Sequence, residues 1–265
     1  MKKRVAFACS VLAAAALGGA APALAQTAPM DIAGIRIGMT EAEVVKALKA
    51  FDAGAQVKRN MASYPYFDGV NSLQTPEFLD SVGTSVAGSM FTVHFSGPPA
   101  EPRVLAVTRR SSNDNPPTGE QFASALIAKH GPAGVRSLPR TGADIVQWNE
   151  AGKPTCTVLK HGSGQLVPDP GVGSLFPPTA VKVLEQQARQ RHPGLALSMG
   201  ASVDAARCGT VLRYQWSGEP VRNFEAWLVD QGGMVAAARR STQWVKGLEA
   251  EAVRKRQAQA GTPKL

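Results

Sequence analysis

The chain has 265 residues and carries 29 Lys and Arg against 20 Asp and Glu, a formal charge of +9. That length holds one large domain or two small ones. Its three cysteines include no C-x-x-C, so a thioredoxin-like redox role has no support, and after the N-terminal segment no run is long and apolar enough to span a bilayer.

The chain opens with a basic Lys2-Lys3-Arg4 segment, an apolar run over residues 5–17 and the small-residue site Ala23-Leu24-Ala25 before Gln26. This order predicts a secretory signal peptide over residues 1–25, cleaved after Ala25, and places the mature chain in the periplasm. Cys9 sits inside the apolar run, with no lipobox around it. Cleavage takes three basic residues away, so the formal charge of the mature chain is +6. A periplasmic protein seldom meets nucleic acid, so the basicity points to an envelope protein or an anionic envelope surface as partner, or merely to solubility.

Residues 34–51, GIRIGMTEAEVVKALKAF, carry the strongest local signal. Thr40-x-x-Glu43 has the form of a capping box, and Val44, Ala47, Leu48 and Phe51 follow on one helical stripe. Together, Ile-x-x-Gly-Met-Thr, an acid three residues after Thr40 and the Ala47-Leu48 pair resemble the helix opening of the SmpA/OmlA (BamE-like) envelope proteins. That fold is shared with β-lactamase inhibitory proteins. The resemblance implies a helix-plus-sheet module that binds proteins and catalyses nothing. BamE carries a lipobox cysteine after its signal; this chain has none.

Residues 55–90 read as irregular, with a brief helix at Thr75-Pro76-Glu77-Phe78. Tyr64, Tyr66 and Phe67 form an aromatic cluster with two readings: packing against the edge of a sheet, or a partner-binding patch. Phe91, Val93 and Phe95 alternate with polar residues as in a half-buried strand, and residues 103–110 supply its return. Thr118-x-x-Gln121 is a second capping box, with Phe122, Ala125 and Leu126 at helical spacing and Gly131-Pro132 as the stop. Residues 118–132 thus form a faint second copy of the first helix.

Strands are expected at residues 145–148 and 155–160, then a Gly/Pro-rich linker at 162–178 and a helix at 179–191. A three-stranded meander at 211–216, 221–230 and 234–240 follows, then a last helix over 241–257 and a tail at 258–265. The expected fold is α+β: antiparallel sheets covered by helices, in two BamE-like halves at 26–161 and 179–257.

Cys156 and Cys208, 52 positions apart, predict one disulfide in an oxidising compartment. Closing that loop should stabilise the fold by ~4 kcal/mol. The bond also removes Cys156 with His161 as a nucleophile and its base. His94, His130, His161 and His192 lie 31 to 36 positions apart, without ligand spacing, and no metal or cofactor is expected. Asp68, Asp80, Asp144 and Asp230 remain open as carboxylates that could meet in space. The leading expectation is a non-catalytic protein-interaction or envelope-assembly module. A hydrolase or cell-wall enzyme is the alternative, and a small-ligand carrier built on the aromatic loop is a third class.

Overall fold

The structure, a computed structural model, describes residues 30–137, 144–153, 157–159, 166–168 and 207–259. The signal segment, Cys156, His161, His192, most of the Gly/Pro-rich stretch and the helix expected at 179–191 lie outside the described residues.

The chain enters through a tight turn in which Ile32 and Ile35 exchange backbone hydrogen bonds at 3.1 and 3.0 Å. Ala33 and Gly34 take φ of 53° and 80° there, the left-handed pair that a two-residue hairpin turn requires. Helix α1 (Glu41–Phe51) follows, with both arms of the Thr40–Glu43 capping box formed and Val44 and Leu48 buried. Four strands come next: β1 (Lys58–Ala62), β2 (Pro65–Phe67), β3 (Ser72–Gln74) and β4 (Phe78–Val86). The turn from β4 to β5 (Ser89–Phe95) is again Ala-Gly, with Ala87 and Gly88 at φ of 44° and 67°. After β6 (Val104–Ser112), helix α2 (Gly119–His130) begins at the Thr118–Gln121 capping box. Then come β7 (Val135–Ser137), β8 (Asp144–Asn149) and the two short strands β9 (Thr157–Leu159) and β10 (Leu166–Pro168). The chain ends with β11 (Thr210–Trp216), β12 (Asn223–Asp230) and the 29-residue helix α3 (Gln231–Gln259).

Eight strands form one sheet in the order β1-β4-β5-β6-β12-β11-β8-β7, every neighbour antiparallel. This overturns the expected architecture. There are not two helix-covered sheets in two halves: β11 and β12, from the C-terminal half, insert between β6 and β8 of the N-terminal half. The molecule is mostly sheet, and its helices stand at the ends of the sheet instead of covering it. The physical reason is the pairing of β6 with β12, from Ser112 opposite Asn223 to Ala106 opposite Val229, which continues a single core across the expected boundary. Val93, Val107, Leu228, Leu212 and Val146 line that core, and α1 adds Val44 and Leu48 to it.

Three local expectations also fail. Residues 55–90 are not irregular but hold four strands. Thr75 does not begin a helix: its N–H donates to the Tyr64 carbonyl at 3.0 Å and its hydroxyl accepts the Tyr64 N–H at 2.9 Å. Residues 234–240 are not a third meander strand but part of α3. Asp230 accepts the Gly233 N–H at 2.8 Å, satisfying an otherwise orphaned donor at the helix start. With no strand there, the free side of β12 is taken by β6.

Candidate functional site

The two faces of the sheet differ because strand side chains alternate. One face carries the core. On the other, register places Thr92, Thr108, Trp227 and Arg213 in one row across four strands. Met90, Arg110, Glu225 and Gln215 form the next row. Asn60, Ser81, His94 and Ala106 form a third. Between β1 and β12 these rows enclose an open concavity of about 420 Å³.

The chemistry of this groove is mixed. Met90 is 57% exposed, and Trp227 is half-buried beside the hydroxyls of Thr92 and Thr108. Arg110 and Glu225, directly opposite each other, form an ion pair at 2.8 Å. One end is closed: Ala106 and Val229 are covered by Met234 of α3. On the β11 side, the buried Arg213 guanidinium lies 5.4 Å from the Trp227 ring centroid and donates to Gln215 Oε1 at 2.6 Å. Burial pulls the Arg213 guanidinium down to about 10. The groove thus has an apolar and hydroxyl-lined centre, an internally neutralised ion pair on one flank and a rigid aromatic–cation stack on the other.

A different cluster sits on the core face. Arg109 of β6 points between Phe51 of α1, Phe91 of β5 and Phe224 of β12, with its guanidinium carbon 4.9, 5.3 and 5.1 Å from the ring centroids. Its Nε and Nη2 donate to Ser89 Oγ at 3.2 and 3.0 Å, and Nη2 also reaches Ser111 Oγ at 3.4 Å. The two serine hydroxyls share a 2.8 Å hydrogen bond. Burial lowers the Arg109 pKa from its ordinary value. Burial also pushes the neighbouring Tyr214 hydroxyl up to about 12, so the tyrosine stays neutral.

The residues singled out in the sequence disperse. Tyr64 is a packing residue: its ring lies 4.7 Å from that of Phe78, and its hydroxyl bonds to Ser241. Tyr66 is half-buried in β2, while Phe67, 45% exposed, stands with Val70, 61% exposed, on the β2–β3 hairpin. Cys208 is buried just before β11; the expected bond to Cys156 lies outside the described residues. His94 joins the groove. His130 is elsewhere, 6% exposed, with its ring tilted against those of Trp148 and Tyr214 at 5.1 and 6.0 Å between centroids. Asp68 caps the β2–β3 turn and Asp230 opens α3, while Asp80 and Asp144 belong to β4 and β8. Among the described residues no three His, Cys, Asp or Glu side chains form a group that could hold a metal ion.

Sequence reasoning missed the groove because two of its five strands, at residues 58–62 and 78–86, carry no strand pattern, and because β12 reaches β6 only through long-range pairing. It missed Arg109 because one basic residue in a strand carries no motif. The signal was there in Arg109 itself, which falls in step with inward-facing Val107 and Ser111. Comparisons with protein-family models, curated proteins and solved structures find no match to the chain.

Proposed function

We propose that this is an exported, non-catalytic protein-interaction module of the periplasm, and that the groove between β1 and β12 is its contact surface. The observation that carries the reading is the exposed Met90 set in a concavity with Thr92, Thr108 and Trp227. Methionine and tryptophan are favoured at interface cores, and hydroxyls satisfy a partner's backbone polar groups. Arg110 neutralises Glu225 within the groove, so a partner meets a surface without an uncompensated carboxylate. Export rests on the order of residues 1–25, and the envelope setting on the resemblance of residues 34–51 to BamE-like helix openings.

The test is site-specific photo-crosslinking in the periplasm, with the photoreactive residue at position 90 and a control at position 120, an exposed position on α2. A discrete protein adduct at position 90, absent at 120 and lost when Thr92→Lys is added, supports the reading. Equal adducts at both positions, or none at 90, overturn it.

A further inference from the structure

We propose that the tip of the β2–β3 hairpin and the last turns of α3 form a docking surface for an anionic phospholipid bilayer, separate from the groove. Among the described residues the exposed large apolar side chains are Met61, Phe67, Val70 and Met90, and two of these four stand at this one tip. Phe67 is 45% and Val70 61% exposed, so much of their apolar surface meets solvent instead of the core. The tip lies against the end of α3. A Cβ built on Gly69 would stand 3.8 Å from the Val253 side chain, and Asp68 accepts from Arg256 at 2.8 Å. Exposed cations therefore gather beside the apolar tip, at Arg254, Lys255 and Arg256. From Ala252 onward the sequence carries no Asp or Glu.

The placement of charge selects the occupant. Asp68 and Glu251 are paired with Arg256 and Lys255 at 2.8 and 2.7 Å, so neither carboxylate faces a lipid phosphate alone. Glu249, further back along α3, is half-buried. An anionic leaflet attracts such cations while apolar side chains enter the acyl boundary. Backbone that leaves water must have its polar groups satisfied. At this tip the Asp68 N–H donates to the Asn71 carbonyl at 3.0 Å, and Asp68 Oδ1 accepts the Val70 N–H at 2.8 Å together with that of Asn71. Two apolar side chains on a narrow turn suit shallow entry into lipid. They are too few for a stable protein interface, which takes about 800 Å² from each partner.

The test is flotation of the chain recovered from the periplasm with vesicles of phosphatidylglycerol and phosphatidylcholine in equal parts, and with phosphatidylcholine alone. Binding to the anionic vesicles should be about tenfold stronger. Phe67→Ser combined with Val70→Ser should weaken it about tenfold, and so should Arg254→Gln combined with Lys255→Gln. All four positions are exposed, and thermal denaturation checks the fold. A polarity-sensitive dye on Val70→Cys should shift to the blue when anionic vesicles are added, and the same dye on Glu120→Cys should not. The labelled chains cover the case in which a double variant does not fold. No flotation, equal flotation with both vesicles, wild-type binding by either folded double variant, or equal dye shifts at the two positions overturns the proposal. A hairpin variant that alters the sedimentation mass and leaves flotation unchanged also overturns it, because the patch then serves self-association.

Discussion

Asp68 and Arg256, 188 positions apart, meet at 2.8 Å and tie the C-terminal end of α3 to the β2–β3 hairpin. The carboxylate also accepts N–H bonds from Asn71 and Val70. These two bonds lower its pKa most, Arg256 adds to them, and the result is about 2 against an ordinary 3.8. Unfolded Asp68 therefore binds its proton more readily than folded Asp68. Its contribution is fully present above pH 3.8 and is lost as pH falls from there toward 2. A carboxyl NMR titration should find the midpoint near 2, and Arg256→Ala should raise it only partway, because the backbone bonds remain. A midpoint at the ordinary value in the folded wild type would refute this cap.

Leu48 is fully buried in the core beneath α1. Leu48→Ala should cost ~2–5 kcal/mol, read from chemical denaturation. A loss below ~1 kcal/mol would mean that α1 is not anchored there.

The capping boxes, the stripe of α1 and the alternation of β5 were legible because each is local: a few consecutive residues set the geometry. The assembly of the sheet was not. Ala33-Gly34 and Ala87-Gly88 make left-handed turns without the Asn-Gly or Asp-Gly signature, so the β4–β5 hairpin left no trace in the sequence. β4 hides its pattern by burying Ser81 and Thr84 alongside Leu79 and Val82. The pairing of β6 with β12 joins residues more than a hundred positions apart, which no short-range pattern encodes. The groove inherits that blindness, since it exists only once five strands are in register.

His130 tests burial directly. Among the described residues neither ring nitrogen has a hydrogen-bond partner, the Trp148 and Tyr214 rings lie tilted against it, and Lys129 and Asp31 are nearby charges. Burial, and then Lys129, lower its pKa below the ordinary 6.5, with Asp31 opposing. The unfolded chain therefore binds a proton that the folded chain refuses, so stability is full above 6.5 and falls as pH drops below it. Denaturation midpoints should decline between about pH 7 and about pH 5, and His130→Phe should flatten that decline. An equal decline in the variant would assign it to other groups.

Export and the disulfide are checked together on protein recovered from the periplasm. Intact mass should begin at Gln26, and non-reducing peptide mapping should join Cys156 to Cys208. Reduction should lower stability by about 2–4 kcal/mol. Two freely alkylated thiols, or a full-length chain, would contradict these expectations.

The central claim is that the groove binds a partner and performs no chemistry. The most direct measurement is complementation of a deletion strain by groove variants whose folding is checked by thermal denaturation. Met90→Asp and Thr92→Lys should abolish complementation with the fold intact. His94→Ala and Glu225→Gln, which remove the groove's acid–base side chains, should retain most of it. Loss of complementation in His94→Ala or Glu225→Gln alone, in a folded protein that still crosslinks from position 90, would contradict the account, since removing a general base typically slows a reaction by ~10²–10⁴-fold.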